Sequence, residues 1–258
     1  MVRQDKDVGR IAVVGPGALG CLVAARLWLA GQKVCLVDYR PPRAAALGRQ
    51  GIILRLPQGG AQTVPVPVAL PSELEPVDLA IITVKAHQTA AAAAALPLFL
   101  APEGVALTLQ NGLGNVEALA RILGPERVLA GVSILGVTRL GEGEVVLAGL
   151  GPTWIGPPAG SRVPPDKIRQ LAETFRQAGL PCEVRLDIEA ALWEKLLVNV
   201  GINPLTALLR VRNGDLLDIP PAWDLAVAAA TEARQVAAAA GVPLKVDPET
   251  RLREVCTA

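Results

Sequence analysis

The sequence is short of the side chains on which many active sites depend. Among 258 residues there is one histidine, His87. That excludes a multi-histidine metal site. A Ser-His-Asp triad would have to use His87, and no GxSxG nucleophile elbow accompanies it. The four cysteines, Cys21, Cys35, Cys182 and Cys256, show no CxxC spacing. They read as lone buried thiols of a reducing compartment. Aromatic residues make up only 3% of the chain, so the core must be built from Ala, Val, Leu and Ile. No sign of charge dominates: the net charge is +1, which supports neither a nucleic-acid partner nor a polybasic membrane anchor. The most apolar stretch, Ala90 to Ala101, contains Pro97 and is followed by Pro102 and Glu103. It is too short and too interrupted for a membrane span. Met1 to Arg10 is polar and lacks the basic-then-apolar layout of a signal peptide. A cytoplasmic protein is expected.

What is present is apolar mass. Hydrophobic residues are 51% and charged residues 19% of the chain, enough for a sizeable core and unlike a disordered segment. The length suits one large domain or two ordinary ones. Ile11 to Val14 and Val34 to Val37 read as strands, with a helix from Cys21 to Ala30 stopped by Gly31. Pro41 to Gln50 reads as a second helix. Ile52 to Leu54 and Val64 to Val68 read as short strands around a Gln58-Gly59-Gly60 turn. Leu79 to Val84 and Val105 to Leu109 read as buried strands, and His87 to Leu100 as a helix shortened or kinked by Pro97. This alternation implies a parallel sheet covered on both faces. Val128 to Leu150, with its Gly141-Glu142-Gly143 turn, reads as an antiparallel edge on that sheet. Gly156 to Pro165 is a proline-rich loop, Ile168 to Ala178 a helix and Cys182 to Arg185 a last strand. Beyond Asp187 the signals are helical only. Two domains are expected, 1–186 and 187–258.

The first strand ends in Gly15-Pro16-Gly17-Ala18-Leu19-Gly20, a GxGxxG pattern. Alone it is weak evidence. Here a strand precedes it, a helix follows it and an acid, Asp38, ends the next strand. Gly15 permits the tight turn, Gly17 lets backbone approach a pyrophosphate, and Gly20 lets the helix pack close. The helix amino terminus offers N–H groups and partial positive charge to phosphates. The expected fold class is therefore α/β: a Rossmann dinucleotide-binding domain, then an all-α domain. Asp38 stands eighteen residues past Gly20. An acid there takes ribose hydroxyls and repels a 2′-phosphate, which favours NAD(H). Arg40 and Arg43 lie next to it and could grip that phosphate, or could simply be solvated. The only tyrosine, Tyr39, has no lysine four residues on, which disfavours short-chain reductases.

Leu192 to Ala207 reads LWEKLLVNVGINPLTA. Lys195, Asn199 and Asn203 are spaced by four and share one stripe of a helix. Polar groups in so apolar a segment need partners, because burying them unpaired costs about 1–3 kcal/mol each. Two readings stay open on spacing alone. Either the three form a binding constellation, or Lys195 snorkels at the surface while the asparagines cap a helix end before Pro204.

GPGALG at Gly15 to Gly20, VKAHQT at Val84 to Thr89, QNGLGN at Gln110 to Asn115 and the lysine–asparagine segment together resemble the ketopantoate reductase (2-dehydropantoate 2-reductase) family. The match runs from about Gly9 to Leu217 and includes Arg212 to Leu216. The resemblance implies that Lys195 is the general acid for a 2-keto oxygen as hydride arrives from the nicotinamide. It implies that Asn199 and Asn203 hydrogen-bond substrate, and that Asn111 lies near the nicotinamide ribose and the substrate. Lys85 and Gln88 would lie near cofactor phosphates and ribose, with Gly15, Pro16, Gly17, Ala18, Leu19, Gly20, Asp38, Tyr39 and Arg40 completing the cofactor side. No metal is implied. The implied reaction is NAD(P)H-dependent reduction of ketopantoate to pantoate in pantothenate biosynthesis, with a small 2-keto acid as partner.

The sequence departs from the family at two places. Relatives carry an arginine for the NADP phosphate at the position of Tyr39. They also continue for several tens of residues, with a Ser-Met-x-Gln-Asp stretch and a later substrate-contacting Glu. The helical domain is thus expected to be incomplete, with exposed apolar surface that favours a homodimer or instability. Two other readings remain: a different hydroxyacid dehydrogenase, or a non-catalytic dinucleotide-binding relative.

Overall fold

The computed structural model describes residues 8–55 and 59–257. The chain divides into two compact units: residues 1–110 with 114–188, and residues 111–113 with 189–258.

The first unit is built on an eight-stranded sheet. Its strands are β1 (Ile11–Val14), β2 (Val34–Val37), β5 (Val68–Ala69), β6 (Val77–Ile82), β7 (Leu100–Thr108), β8 (Val128–Ser133), β11 (Thr153–Gly156) and β12 (Cys182–Val184). The order is β12-β11-β8-β7-β6-β1-β2-β5. The β5-β2-β1-β6-β7-β8 portion is parallel throughout, the doubly wound order of a Rossmann sheet. Only β11 runs antiparallel to its neighbour β8. Successive residues of β1 face opposite cores. Ile11 and Val13 join one cluster, Ala12 and Val14 the other. A strand buried on both faces reads as a continuous apolar run, as IAVV does.

The expected antiparallel edge is corrected. The hairpin β9 (Gly136–Gly141) and β10 (Glu144–Gly149) leaves the main sheet. It forms a second, four-stranded sheet with β3 (Ile52–Arg55) and β4 (Ala61–Val64), in the order β4-β3-β10-β9. The expected Val64 to Val68 strand is corrected too. It divides between β4 and β5, one in each sheet, at Pro65 and Pro67, which cannot donate to a ladder. Of the turn before it, Gln58 lies outside the described residues; Gly59 and Gly60 both have positive φ. Helix α1 (Ala18–Leu29) touches strands of both sheets. Seven of its twelve residues are buried, and its sequence is apolar nearly all round, as a helix covered on two sides must be.

Helix α2 (Pro41–Gln50) follows β2, and α5 (Pro165–Gln177) packs on β11 and β12. The predicted helix after Val84 is broken into a 3-10 turn at Ala86–Gln88, α3 (Thr89–Ala95) and a second 3-10 turn at Leu96–Leu98 around Pro97. Helix α4 (Asn115–Leu123) was not foreseen. It buries Leu119 and Leu123 in the core that α3 shares, and Ala118 is buried as well.

The second unit holds α6 (Ile188–Leu209), α7 (Pro220–Ala239) and α8 (Pro248–Thr257). Leu197, Ile202, Trp223, Ala226, Ala230 and Leu252 form its core. Gly201 of α6 faces the Ala226 carbonyl and the Leu252 side chain at 3.0 Å from where a Cβ would stand. A helix end before Pro204 is not found: α6 runs through Pro204 to Leu209. Proline there has no N–H to give the carbonyl of Val200, yet the helix continues. No described helix is long and apolar enough to cross a membrane.

Candidate active site

The glycine-rich turn sits at the switch point of the sheet, where β1 and β6 separate toward opposite flanks. Open α/β sheets bind ligands at that place, outside the carboxyl ends of the strands. The three glycines have different physical reasons. Gly15 has φ +108°, and a Cβ on it would lie 2.7 Å from Val84 Cγ1 and 2.9 Å from Val84 N. Gly20 packs so tightly that a Cβ would overlap the Gly15 carbonyl oxygen and lie 2.5 Å from Thr83 Oγ1. Gly17 is different: nothing stands closer than the Thr83 carbonyl oxygen at 4.0 Å. Its missing side chain leaves open space at the amino terminus of α1, where Gly17 itself is the cap and no side chain caps the first N–H groups. Such N–H groups suit a pyrophosphate. Pro16 and Gly20 are buried, and Ala18 and Leu19 half-buried.

Thr83, which the sequence reading did not single out, ties the loop. Its hydroxyl lies 2.9 Å from both the Val14 and the Gly15 carbonyl oxygens, and its N–H donates to Val14 at 2.9 Å.

Asp38 follows β2 and is fully buried. Its Oδ2 accepts from Arg43 Nε; its Oδ1 accepts from Arg43 Nη2 at 2.7 Å and from the Arg40 N–H at 3.1 Å. This is a two-pronged guanidinium–carboxylate pair. Asp38 in turn raises the pKa of Arg43, chiefly through that hydrogen bond. Tyr39 and Arg40 are exposed. The Gln88 amide donates to the Tyr39 hydroxyl, joining the end of β2 to the turn after β6. Lys85 opens that turn and is exposed.

A buried polar network, also missed from sequence, holds the two motif loops together. Gln110 Nε2 donates to the Val84 carbonyl at 2.8 Å and to Thr89 Oγ1 at 2.7 Å. Thr89 Oγ1 donates to Asn115 Oδ1 at 2.9 Å, and Thr108 Oγ1 to Gln110 Oε1 at 3.0 Å. The VKAHQT and QNGLGN motifs therefore contribute anchors (Thr89, Gln110, Asn115) beside their exposed members Lys85 and Asn111.

Asn111 belongs to the same compact unit as Lys195, Asn199 and Asn203. Those three lie along α6, one turn apart. Asn203 Nδ2 donates to Asn199 Oδ1 at 3.3 Å. Lys195 and Asn199 are half-buried and Asn203 is exposed. Burial pushes the Lys195 ammonium down to about 8. Of the cysteines, all four free, Cys21 lies just past the glycine loop. Burial raises its thiol to about 12, which keeps it protonated and inert at neutral pH.

The family model described as ketopantoate reductase PanE/ApbA matches residues 11–160, and its C-terminal counterpart matches residues 187–258. The chain belongs to the ketopantoate reductase family. This is a family of oxidoreductases whose reaction is ketopantoate reduction in pantothenate biosynthesis. Among its relatives, the 2-dehydropantoate 2-reductase of Archaeoglobus fulgidus is 39% identical over 95% of this chain and 79% of its own length. That of Halobacterium salinarum is 36% identical over 95% of this chain and 80% of its own. The structure of the Geobacter metallireducens 2-dehydropantoate 2-reductase superposes with a TM-score of 0.87 at 32% identity, covering 96% of this chain and 82% of that one. A D-mandelate dehydrogenase solved with NADH and anilino(oxo)acetate shares the fold, with a TM-score of 0.86 at 23% identity, over 96% of this chain and 78% of that one. The ketopantoate reductase fold of this chain thus extends from the glycine loop through the lysine–asparagine helix.

Proposed function

We propose that this chain reduces 2-dehydropantoate to pantoate, with residues 1–186 holding a nicotinamide dinucleotide and residues 187–258 supplying the acid and the substrate-binding amides. The observation that carries this reading is Lys195: a half-buried lysine lowered to about 8, in one helical stripe with two asparagines. The residues fit the cofactor, because Gly17 leaves its face of the loop open and the amino terminus of α1 is free of a side-chain cap.

The bound dinucleotide supplies the hydride. The protein does the rest. Gly15, Pro16, Gly17, Ala18, Leu19 and Gly20 shape the pyrophosphate cradle, with Lys85 and Gln88 beside it. Lys195 holds a proton on Nζ and gives it to the 2-keto oxygen; a pKa near working pH suits a general acid. The Asn203–Asn199 bond uses the Asn199 oxygen and leaves the Asn199 N–H groups to donate to substrate. Asn111 binds on the ribose and substrate side. An acid already neutralised by Arg43 does not repel a 2′-phosphate, so NADPH is admitted as well as NADH. Four free cysteines suit a reducing cytoplasm.

Lys195→Met tests the assignment. Turnover of ketopantoate is expected to fall by about 100-fold or more, the usual scale of general acid catalysis. The dinucleotide Kd, read by fluorescence titration, should stay within about twofold, because Lys195 belongs to the substrate side. Wild-type turnover in that variant would remove Lys195 as the acid.

A further inference from the structure

The acid at the end of β2 does not present itself to a ligand. We propose that Arg43 is a specificity-determining residue for the cofactor: by neutralising Asp38 it lets the site accept a 2′-phosphate on the adenosine ribose. This rests on the dinucleotide reading of the Gly15–Gly20 loop.

An acid at this position discriminates in two ways. It accepts hydrogen bonds from the two ribose hydroxyls, and its charge repels a phosphate. Both need an outward-facing carboxylate with uncompensated charge. Asp38 has neither. Its side chain is fully buried, and Arg43 and the Arg40 N–H engage both of its oxygens. The guanidinium that engages it belongs to α2, close to its amino-terminal end. The exposed groups beside it are the Tyr39 phenol and the Arg40 guanidinium. No described acid forms an ion pair with Arg40. Arg43 also feels the charge of Glu142, so the positive group this corner leaves over is the Arg40 guanidinium, the type of group that takes phosphate. Asp38 therefore acts as scaffold: through the Arg40 N–H it fixes the start of α2, and through Arg43 it is electrically silenced. The residue that looks like a determinant for NADH is masked, and the mask is Arg43.

The test is the ratio of NAD⁺ Kd to NADP⁺ Kd, measured by titration calorimetry at pH 8, where an unmasked carboxylate stays ionised. Arg43→Met exposes the charge and should lower that preference for NADP⁺ by about tenfold, through like-charge repulsion. Adding Asp38→Asn to Arg43→Met removes the charge again and should return the ratio to its wild-type value. If Arg43→Met does not fold, Arg43→Gln carries the same test, since its amide donates to Asp38 without neutralising it. An unchanged ratio in the folded single variant would overturn the proposal. So would a loss that Asp38→Asn fails to reverse, which would make Arg43 a direct phosphate ligand. A wild-type protein that binds neither dinucleotide would defeat the reading of the loop itself, a result distinct from an unchanged ratio.

Discussion

Thr83 Oγ1 occupies the place from which a Cβ on Gly20 would be excluded: the two would stand 2.5 Å apart. The same oxygen lies 2.9 Å from the Val14 and Gly15 carbonyl oxygens. Strand, turn and helix thus meet at one hydroxyl. Two glycines of the first motif are steric: Gly20 is held by the Gly15 carbonyl and Thr83, and Gly15 by Val84 and its positive φ; Gly17 is the one left for a ligand in the proposed reading.

Two glycine variants separate those roles. Gly20→Ala should destabilise the fold by about 1–3 kcal/mol, the usual result of forcing a methyl into a packed site. Gly17→Ala adds a methyl that meets nothing closer than the Thr83 carbonyl oxygen at 4.0 Å. Its stability should stay within about 1 kcal/mol of wild type, as for most changes away from packed features. Its dinucleotide Kd should rise markedly, because the methyl stands where the pyrophosphate approaches. Thermal melts and dinucleotide titrations of both variants decide the matter. A Gly17→Ala protein with unchanged affinity would contradict the placement of the pyrophosphate.

Thr83→Val keeps the shape and removes the hydroxyl. The carbonyls of Val14 and Gly15 lose a donor in a partly buried place. A loss of about 1–2 kcal/mol is expected in urea or thermal unfolding. No loss would show that the Thr83 hydroxyl contributes nothing to the loop.

Gln110→Leu opens the network between the two motif loops. Val84 and Thr89 lose the Gln110 amide donor. The expected destabilisation is about 1–3 kcal/mol, because buried partners are left unsatisfied. Turnover should fall with it, since Lys85 and Asn111 flank the loops that Gln110 pins. A Gln110→Leu protein as stable as wild type would show the network to be dispensable.

The lowered pKa of Lys195 gives a pH dependence with a definite sign. With Lys195 as the proposed acid, its protonated form is the active one, so kcat/KM should be flat below pH 8 and fall as pH rises through about 8. Stability runs the other way. Between about 8 and the usual 10.5 the unfolded lysine is protonated and the folded one is not, so stability rises with pH across that window. Lys195→Met should abolish both trends. A pH profile with no basic limb near 8 would contradict the role of Lys195.

The parallel sheet was legible because its strands are short apolar runs between helices, as in IAVV and VCLV. The glycine loop was legible because Gly15, Gly17 and Gly20 keep their spacing between such elements. Helix α4 was legible in principle: Val116, Leu119, Ala120 and Leu123 repeat at three and four residues. The second sheet was not. Whether the Gly141-Glu142-Gly143 hairpin joins one sheet or another depends on distant partners, here Glu144 opposite Ile53 and beside Arg55. Asp38 was legible as an acid but not as a masked one, since Arg43 could as well have faced solvent. Gln110 and Thr89 are 21 residues apart, and no local spacing shows that they meet. Pro204 kept a helix end open as an alternative, because proline suggests one; α6 continues past it and keeps Lys195, Asn199 and Asn203 on one helix.

The most direct measurement is ketopantoate-dependent oxidation of NADPH, and separately of NADH, by this 258-residue chain, followed at the absorbance of the reduced nicotinamide. The account predicts turnover that needs both ketopantoate and the dinucleotide and that falls by about 100-fold or more in Lys195→Met. Dinucleotide binding without any ketopantoate-dependent oxidation, from either cofactor, would contradict it.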